Sequence, residues 1–276
     1  MAYPTSRGLA GAIQQQARTR GVSSALHEFF AQRLIARLST SLPHTWVLKG
    51  GHAMLARIPD VARTTRDIDG ALASTSRETA ITEIRQAAAS SPVDPDFLNF
   101  ELVKWTPGHV EDLVSLSFQV LFGGKDHGAL KVDVQIVHNW SELGELVPLG
   151  RRVDPPKQRG WPDCIRVIPV ADHMAEKLVA LYSVHNGRLS SRERDIVDLA
   201  LLARYAPPQP YALGPALSRA LKRPTVPSVT VELPPRFIAP ERFRRAFERE
   251  GHGLSWDTSM LEIATITGPA LKAIAS

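Results

Sequence analysis

Apolar and polar positions along the chain recur with two periods, and the switches between them mark out the elements. Residues 8–20, with Arg18 and Arg20 at their end, fit a helix, and Leu26, Phe29, Phe30, Leu34 and Leu38 keep the spacing of a second one that stops before Ser41-Leu42-Pro43. Trp46-Val47-Leu48 reads as a short buried strand, Gly50-Gly51 as a sharp turn, and Met54 and Leu55 as part of a short helix ahead of Pro59. Another strand begins near Asp67. Ser76 is placed to cap a helix carrying Ile81, Ile84 and Ala88, which stops at Ser90-Ser91-Pro92. The strongest β signal flanks residues 122–128: Val114, Leu116, Phe118 and Val120 alternate with Ser115, Ser117 and Gln119, then Leu130, Val132, Val134 and Ile136 with Lys131, Asp133 and Gln135. Residues 97–105 add a further strand. One apolar and one polar face per strand predicts a sheet packed by helices on one side and open on the other, an α/β architecture.

Residues 150–162, with Arg151, Arg152, Lys157, Arg159, Pro155 and Pro156, have the composition of a basic linker, so the expected division is 1–150 and 151–276. The second part reads as mostly helical. Pro169 and Asp172 start a helix through Tyr182, and Ser190-x-x-Glu193 has the form of a capping box opening another that runs to Tyr205, with Ile196, Leu199, Ala200 and Ala203 as its buried stripe. A proline-broken stretch (Pro224, Pro227, Pro234, Pro235, Pro240), the run Arg242, Arg244, Arg245, Arg249 and a closing helix from about Met260 complete the chain.

With 276 residues, 43% of them hydrophobic, the chain can bury a substantial core. No apolar run approaches the roughly 18 residues that span a bilayer, and the first residues lack the apolar core of a signal peptide, so a soluble cytoplasmic protein is the expectation. One cysteine, Cys164, excludes an intrachain disulfide, and the histidines show no zinc spacing. The net charge of +5 is compatible with a polyanionic partner without requiring one.

Candidate chemistry gathers around the first short strand. Gly50-Gly51 can expose backbone N–H groups to phosphate. The period of two puts Asp67 and Asp69 on one strand face, where two carboxylates repel unless a cation lies between them. Asp133, on the polar face of a strand that could lie beside them, makes a two-metal site conceivable. Arg63 and Thr65 flank the pair and could reach phosphate oxygens. Lys177 could neutralise phosphate charge, and Asp195 and Asp198, three residues apart on one helix face, could anchor base, ribose or that lysine. Each feature alone has a plainer reading as a turn, a solvated strand edge or a surface ion pair. Their combination and order favour the nucleotide site. A P-loop is absent.

The pattern Leu48-Lys49-Gly50-Gly51-x-Ala53, Arg63-x-Thr65-x-Asp67-Ile68-Asp69, Lys131-Val132-Asp133, Glu176-Lys177-Leu178 and Arg194-Asp195-x-x-Asp198-Leu199 resembles the AbiEii-type nucleotidyltransferase toxins, including the MenT toxins, over residues 40–205. The resemblance implies a polymerase-β-like nucleotidyltransferase domain, a mixed sheet with helices on one face, and a largely helical C-terminal domain that completes the nucleotide site. It implies Gly50 and Gly51 on phosphate, Mg²⁺ on Asp67 and Asp69, Lys177 on the nucleotide, and Asp195, or alternatively Asp198, as the last acidic residue. It further implies an NTP substrate, CTP or UTP by preference, the 3′ end of tRNA as acceptor so that aminoacylation is blocked, and an AbiEi-type antitoxin as partner. One departure concerns Gly50-Gly51, where nucleotidyltransferases more often have Gly-Ser; a hydroxyl contact to phosphate is thereby missing.

Three functions compete on these residues. The first is transfer of NMP to tRNA or another RNA, which the basic clusters at residues 151–159 and 242–249 favour. The second is the same chemistry on a small molecule or protein hydroxyl. The third is a non-catalytic RNA- or antitoxin-binding protein, which would have no use for three repelling acids. No membrane partner is expected, and a monomer is the default oligomeric state.

Overall fold

The computed structural model describes residues 3–17, 21–90, 96–110, 112–138, 144–223, 228–251 and 253–275. Arg18, Arg20, Ser91, Pro92, Pro224 and Pro227 lie outside the described residues. The chain divides into two compact units, residues 1–60 with 64–167, and residues 61–63 with 168–276.

In the first unit, α1 (Ser6–Ala17) and α2 (Val22–Ser41) precede β1 (Trp46–Lys49), α3 (Gly50–Arg57) and β2 (Ile68–Ala73). Then come α4 (Arg77–Ala89), β3 (Leu98–Pro107), β4 (Leu113–Phe122), β5 (Lys125–Val137), β6 (Glu145–Pro148) and β7 (Cys164–Val167). The strands form one seven-stranded sheet in the order β3-β4-β5-β2-β1-β7-β6. It is mixed: β2 runs parallel to β5 and β1 parallel to β7, while the other neighbours are antiparallel. The alternation in β4 and β5 does what the pattern predicts. Val114, Leu116, Phe118, Val120, Leu130, Val132, Val134 and Ile136 are buried, and Ser115, Ser117, Asp133 and Gln135 stay partly exposed. Gly123 and Gly124 join the two strands with φ of +57° and +78°, the two-residue turn whose twist suits a hairpin. Ser76 caps α4 as expected, its hydroxyl accepting from the Thr79 N–H at 3.1 Å.

The helix α2 holds a feature the apolar spacing hides. Arg33 and Arg37 lie on it fully or nearly buried and clamp Asp96 at 2.8 and 2.9 Å, while Asp96 also accepts from the Leu98 N–H. Arg33 in addition donates to the carbonyls of Arg159 and Gly160. These bonds, with β6 and β7 pairing on the β1 side of the sheet, carry the first unit through the basic stretch to Val167. The first unit therefore extends to Val167, 17 residues beyond the expected boundary at 150, because Cys164–Val167 is a sheet strand and Arg159 and Gly160 are bonded to α2.

The second unit contains α5 (Val170–Leu181), α6 (Arg194–Tyr205), α7 (Leu213–Leu221), α8 (Arg244–Glu250) and α9 (Trp256–Ala275). Beside them lies a three-stranded sheet of β8 (Ser183–His185), β9 (Arg188–Leu189) and β10 (Val229–Val231) in the order β10-β8-β9. The capping box does not form. The Ser190 N–H bonds to the Ser183 carbonyl, the Ser190 hydroxyl accepts from Arg192, and α6 starts at Arg194. The closing helix begins four residues before Met260 and carries Pro269 inside it. Among the described residues no helix is long and apolar enough to cross a membrane.

Candidate active site

In the first unit the sheet places the expected phosphate turn and acids on neighbouring strands. Leaving β1, the chain enters α3 directly at Gly50, with φ of +58°, so the first N–H groups of α3 follow the turn without a side-chain cap. Side chains explain why both residues are glycine. A Cβ on Gly50 would stand 1.9 Å from Oδ2 of Asp69, and one on Gly51 2.7 Å from the Cβ of Thr65. Asp69 and Thr65 are therefore packed onto the turn itself. Asp69 pairs in register with Lys49 of β1 on one side and Asp133 of β5 on the other. Asp67 stands one residue before β2, rather than inside it, and is exposed.

Asp133 is already engaged. The Ser115 hydroxyl donates to its Oδ1 and the Lys131 ammonium to its Oδ2 at 2.7 Å. That hydrogen bond, with the charges of Asp133, Asp67 and Asp69, raises the Lys131 pKa despite some desolvation. Lys49 donates to Gln135 on the same sheet. Among the described residues no three His, Cys, Asp or Glu side chains are grouped closely enough to hold a metal ion. Asp67, Asp69 and Asp133 thus share a region without forming such a group, and Asp133 is bonded to Ser115 and Lys131.

The second unit gathers Arg63, Lys177, Asp195 and Asp198. Lys177, whose plain reading is a solvated lysine, is buried on α5 and donates to Asp195 Oδ1 at 3.1 Å and Asp198 Oδ2 at 2.6 Å on α6. Arg63 grips the same Asp198 through Nε and Nη2, both at 3.0 Å. Burial would raise the Asp198 carboxyl, but Lys177 and Arg63 outweigh it and hold the pKa at about 2. Burial would likewise lower Lys177, yet Asp198 and Asp195 raise it. Two cations and two anions make a neutral, hydrogen-bonded group, the form in which buried charge is tolerable. Asp195 and Asp198 are not equivalent in it. Asp198 has both oxygens bonded, whereas Asp195 Oδ2 makes no hydrogen bond among the described residues, with the Arg192 guanidinium 3.8 Å from it. Arg63, expected on phosphate, is committed to Asp198 instead.

The basic clusters are also partly spent on structure. Arg152 donates to the Pro59 carbonyl and lies 4.0 Å from Glu28, and Arg159 donates to the Pro156 carbonyl. Arg242, Arg244, Arg245 and Arg249 line a groove of about 730 Å³ that they share with Glu193, Glu241 and Glu248. That mixed lining is less cationic than the sequence alone suggests.

Beneath the Gly turn, His52 of α3 is buried, and its Nε2 finds no hydrogen bond among the described residues. Desolvation, helped by His27 and Arg152, lowers its pKa to about 3. The folded chain keeps this imidazole neutral while the unfolded chain protonates it below about pH 6.5, so stability falls as pH drops from there toward 3, by roughly 1.4 kcal/mol per unit. Asp198, depressed to about 2, adds its own loss only below about pH 4. Thermal melts at pH 7 and pH 5 are expected to show the decline, and His52→Gln to flatten it. An unchanged slope in the variant would place the acid sensitivity elsewhere.

With this geometry in view, the chain matches the family model "Nucleotidyl transferase AbiEii toxin, Type IV TA system" over residues 33–265. No curated protein matches it in sequence. Among solved structures it is similar to MenT4, a nucleotidyltransferase toxin from Mycobacterium tuberculosis, at 17% identity and a TM-score of 0.54, over 97% of this chain and 99% of that one. It is also similar to a protein from H. pylori described as a nucleotidyltransferase, at 13% identity and a TM-score of 0.46, over 91% and 96% of the two chains. The mixed sheet with helices and the likeness to MenT4 agree on a nucleotidyltransferase fold.

Proposed function

The chain belongs to the AbiEii family of nucleotidyltransferase toxins, and on that premise we propose that it transfers NMP from an NTP to the 3′ end of tRNA and so blocks aminoacylation. The observation that carries the reading is the Gly50-Gly51 turn, pressed by Asp69 and Thr65 where β1 passes into α3. That junction offers backbone N–H groups to phosphate with a carboxylate beside them, the pairing a metal-bound triphosphate needs. We assign Gly50, Gly51 and Thr65 to the phosphates and Asp67, Asp69 and Asp133 to Mg²⁺. The donor chemistry suits that ion, all three being carboxylates: Asp69 of β2 and Asp133 of β5 pair in register, and Asp67 stands just ahead of β2. Bound Mg²⁺ would neutralise phosphate charge and polarise the α-phosphate.

In the transfer, the 3′ oxygen of the acceptor bonds to the α-phosphorus and the bond from that phosphorus to the β-bridging oxygen breaks. Pyrophosphate leaves, and the hydroxyl proton passes to the Asp133 carboxylate. In-line displacement asks a protein mainly for positioning and charge stabilisation. Lys177 and Asp195 are the nucleotide-contacting residues of the second unit, Asp195 through its unbonded oxygen; Asp198 and Arg63 hold Lys177 in place. CTP or UTP is the preferred donor, the cytoplasm the working compartment, and an AbiEi-type antitoxin the partner that restrains the toxin.

The test supplies each labelled NTP in turn, with Mg²⁺, to intact tRNA and to tRNA blocked at its 3′ end. Incorporation into intact tRNA alone is expected, strongest with a pyrimidine nucleotide. Equal labelling of blocked tRNA, or labelling confined to protein or small molecules, would refute the acceptor.

A further inference from the structure

Lys131 stands two residues before Asp133 on β5, so the pleat turns both to the same sheet face, and the register sets Asp133 beside Asp69 of β2. Its ammonium is bonded to Asp133 at 2.7 Å, and the charges of Asp67 and Asp69 also act on it. No other function in the site uses this lysine. We propose that Lys131 is a resident counterion, a positioning residue that keeps the three acids compatible before a divalent cation binds and releases Asp133 when the cation arrives. The inference rests on the reading of Asp67, Asp69 and Asp133 as the metal-holding acids.

The physical case has two sides. Three carboxylates near one another repel without a cation, and the ammonium supplies one positive charge where that repulsion is felt. Its bond is also easily opened, since the side chains of Lys131 and Asp133 are 52% and 32% exposed and a half-exposed ion pair is held weakly. A divalent ion bound to the same acids would then face a neighbouring positive charge. At the separations these side chains allow, in a largely aqueous setting, that repulsion corresponds to roughly tenfold in affinity. Lys131 therefore favours the metal-free site and opposes the loaded one.

The experiment titrates Mn²⁺ calorimetrically into the full chain without nucleotide, using wild type, Lys131→Met, Lys131→Arg and Asp69→Asn, and records melts in chelator. Lys131→Met is expected to bind Mn²⁺ about tenfold more tightly and to melt about 2 °C lower in chelator, a loss that saturating Mn²⁺ recovers. Lys131→Arg, with the charge retained, should match wild type, and Asp69→Asn should lose the binding, which identifies the titrated site. Tighter binding after removal of a side chain is not a result that general destabilisation produces. Equal or weaker Mn²⁺ binding by Lys131→Met would overturn the counterion role and leave the metal assignment standing. If neither wild type nor Lys131→Met binds Mn²⁺, the metal assignment falls with it. Should Lys131→Met fail to fold, Lys131→Gln gives the same comparison.

Discussion

Asp69→Asn is expected to lower nucleotide transfer by about a thousandfold or more while the protein stays folded. The amide keeps the volume packed over Gly50, so the turn is undisturbed, but it removes the negative charge that a metal-bound triphosphate requires. Asp67→Asn should do the same from its exposed position just ahead of β2. Neither change should lower metal-free stability, because each relieves repulsion among neighbouring acids. Steady-state transfer and thermal melting, measured on the same preparations, check both halves of the expectation. Near-normal transfer in Mg²⁺, or an unfolded variant, would mean that the two acids are structural.

Asp198→Ala is expected to act in the opposite sense, on stability first. It strips the buried Lys177 and the partly buried Arg63 of the carboxylate that holds both, and leaves Asp195 as the acid still bonded to Lys177. Breaking a buried pair in this way typically costs about 3–5 kcal/mol. For a unit of this size the melting temperature should drop by roughly 10 °C or more. Asp195→Asn should be milder in stability and severe in activity, since it keeps the volume and alters the residue with the unbonded oxygen. A wild-type melting temperature for Asp198→Ala would show that the network contributes little. Equal stability losses in both variants would remove the distinction between a supporting and a contacting acid.

Local periodicity made the main elements of both units legible. The alternation in Leu113–Phe122 and Lys125–Val137 specified which residues are buried, because a half-open sheet leaves no other arrangement for it. Side-chain partnership was less visible. Arg63 lies beside Thr65 and Asp67 in the sequence, which favoured phosphate as its ligand, yet its partner is 135 residues away on α6. The burial of Lys177 was not legible from its helix's own spacing, although Asp195 and Asp198 were among the expected candidates to anchor it, and they do. Arg33, Arg37 and Asp96 form a buried group that charge alone would place on a surface. Lys131 was in plain view next to Asp133, and what gives it interest is the register that brings Asp69 alongside. The failed capping box at Ser190 shows the converse: a sound local motif yields when the strand pairing at Ser183 takes the same backbone N–H.

The most direct test of the nucleotidyl-transfer reading follows two labels through one reaction. Purified protein is incubated with RNA and Mg²⁺, using NTP labelled at the α-phosphate in one set and at the γ-phosphate in the other. α-Label is expected in the RNA and γ-label in pyrophosphate, both lost in Asp69→Asn. γ-Label in the acceptor, or α-label released without any acceptor gaining it, would contradict that reading.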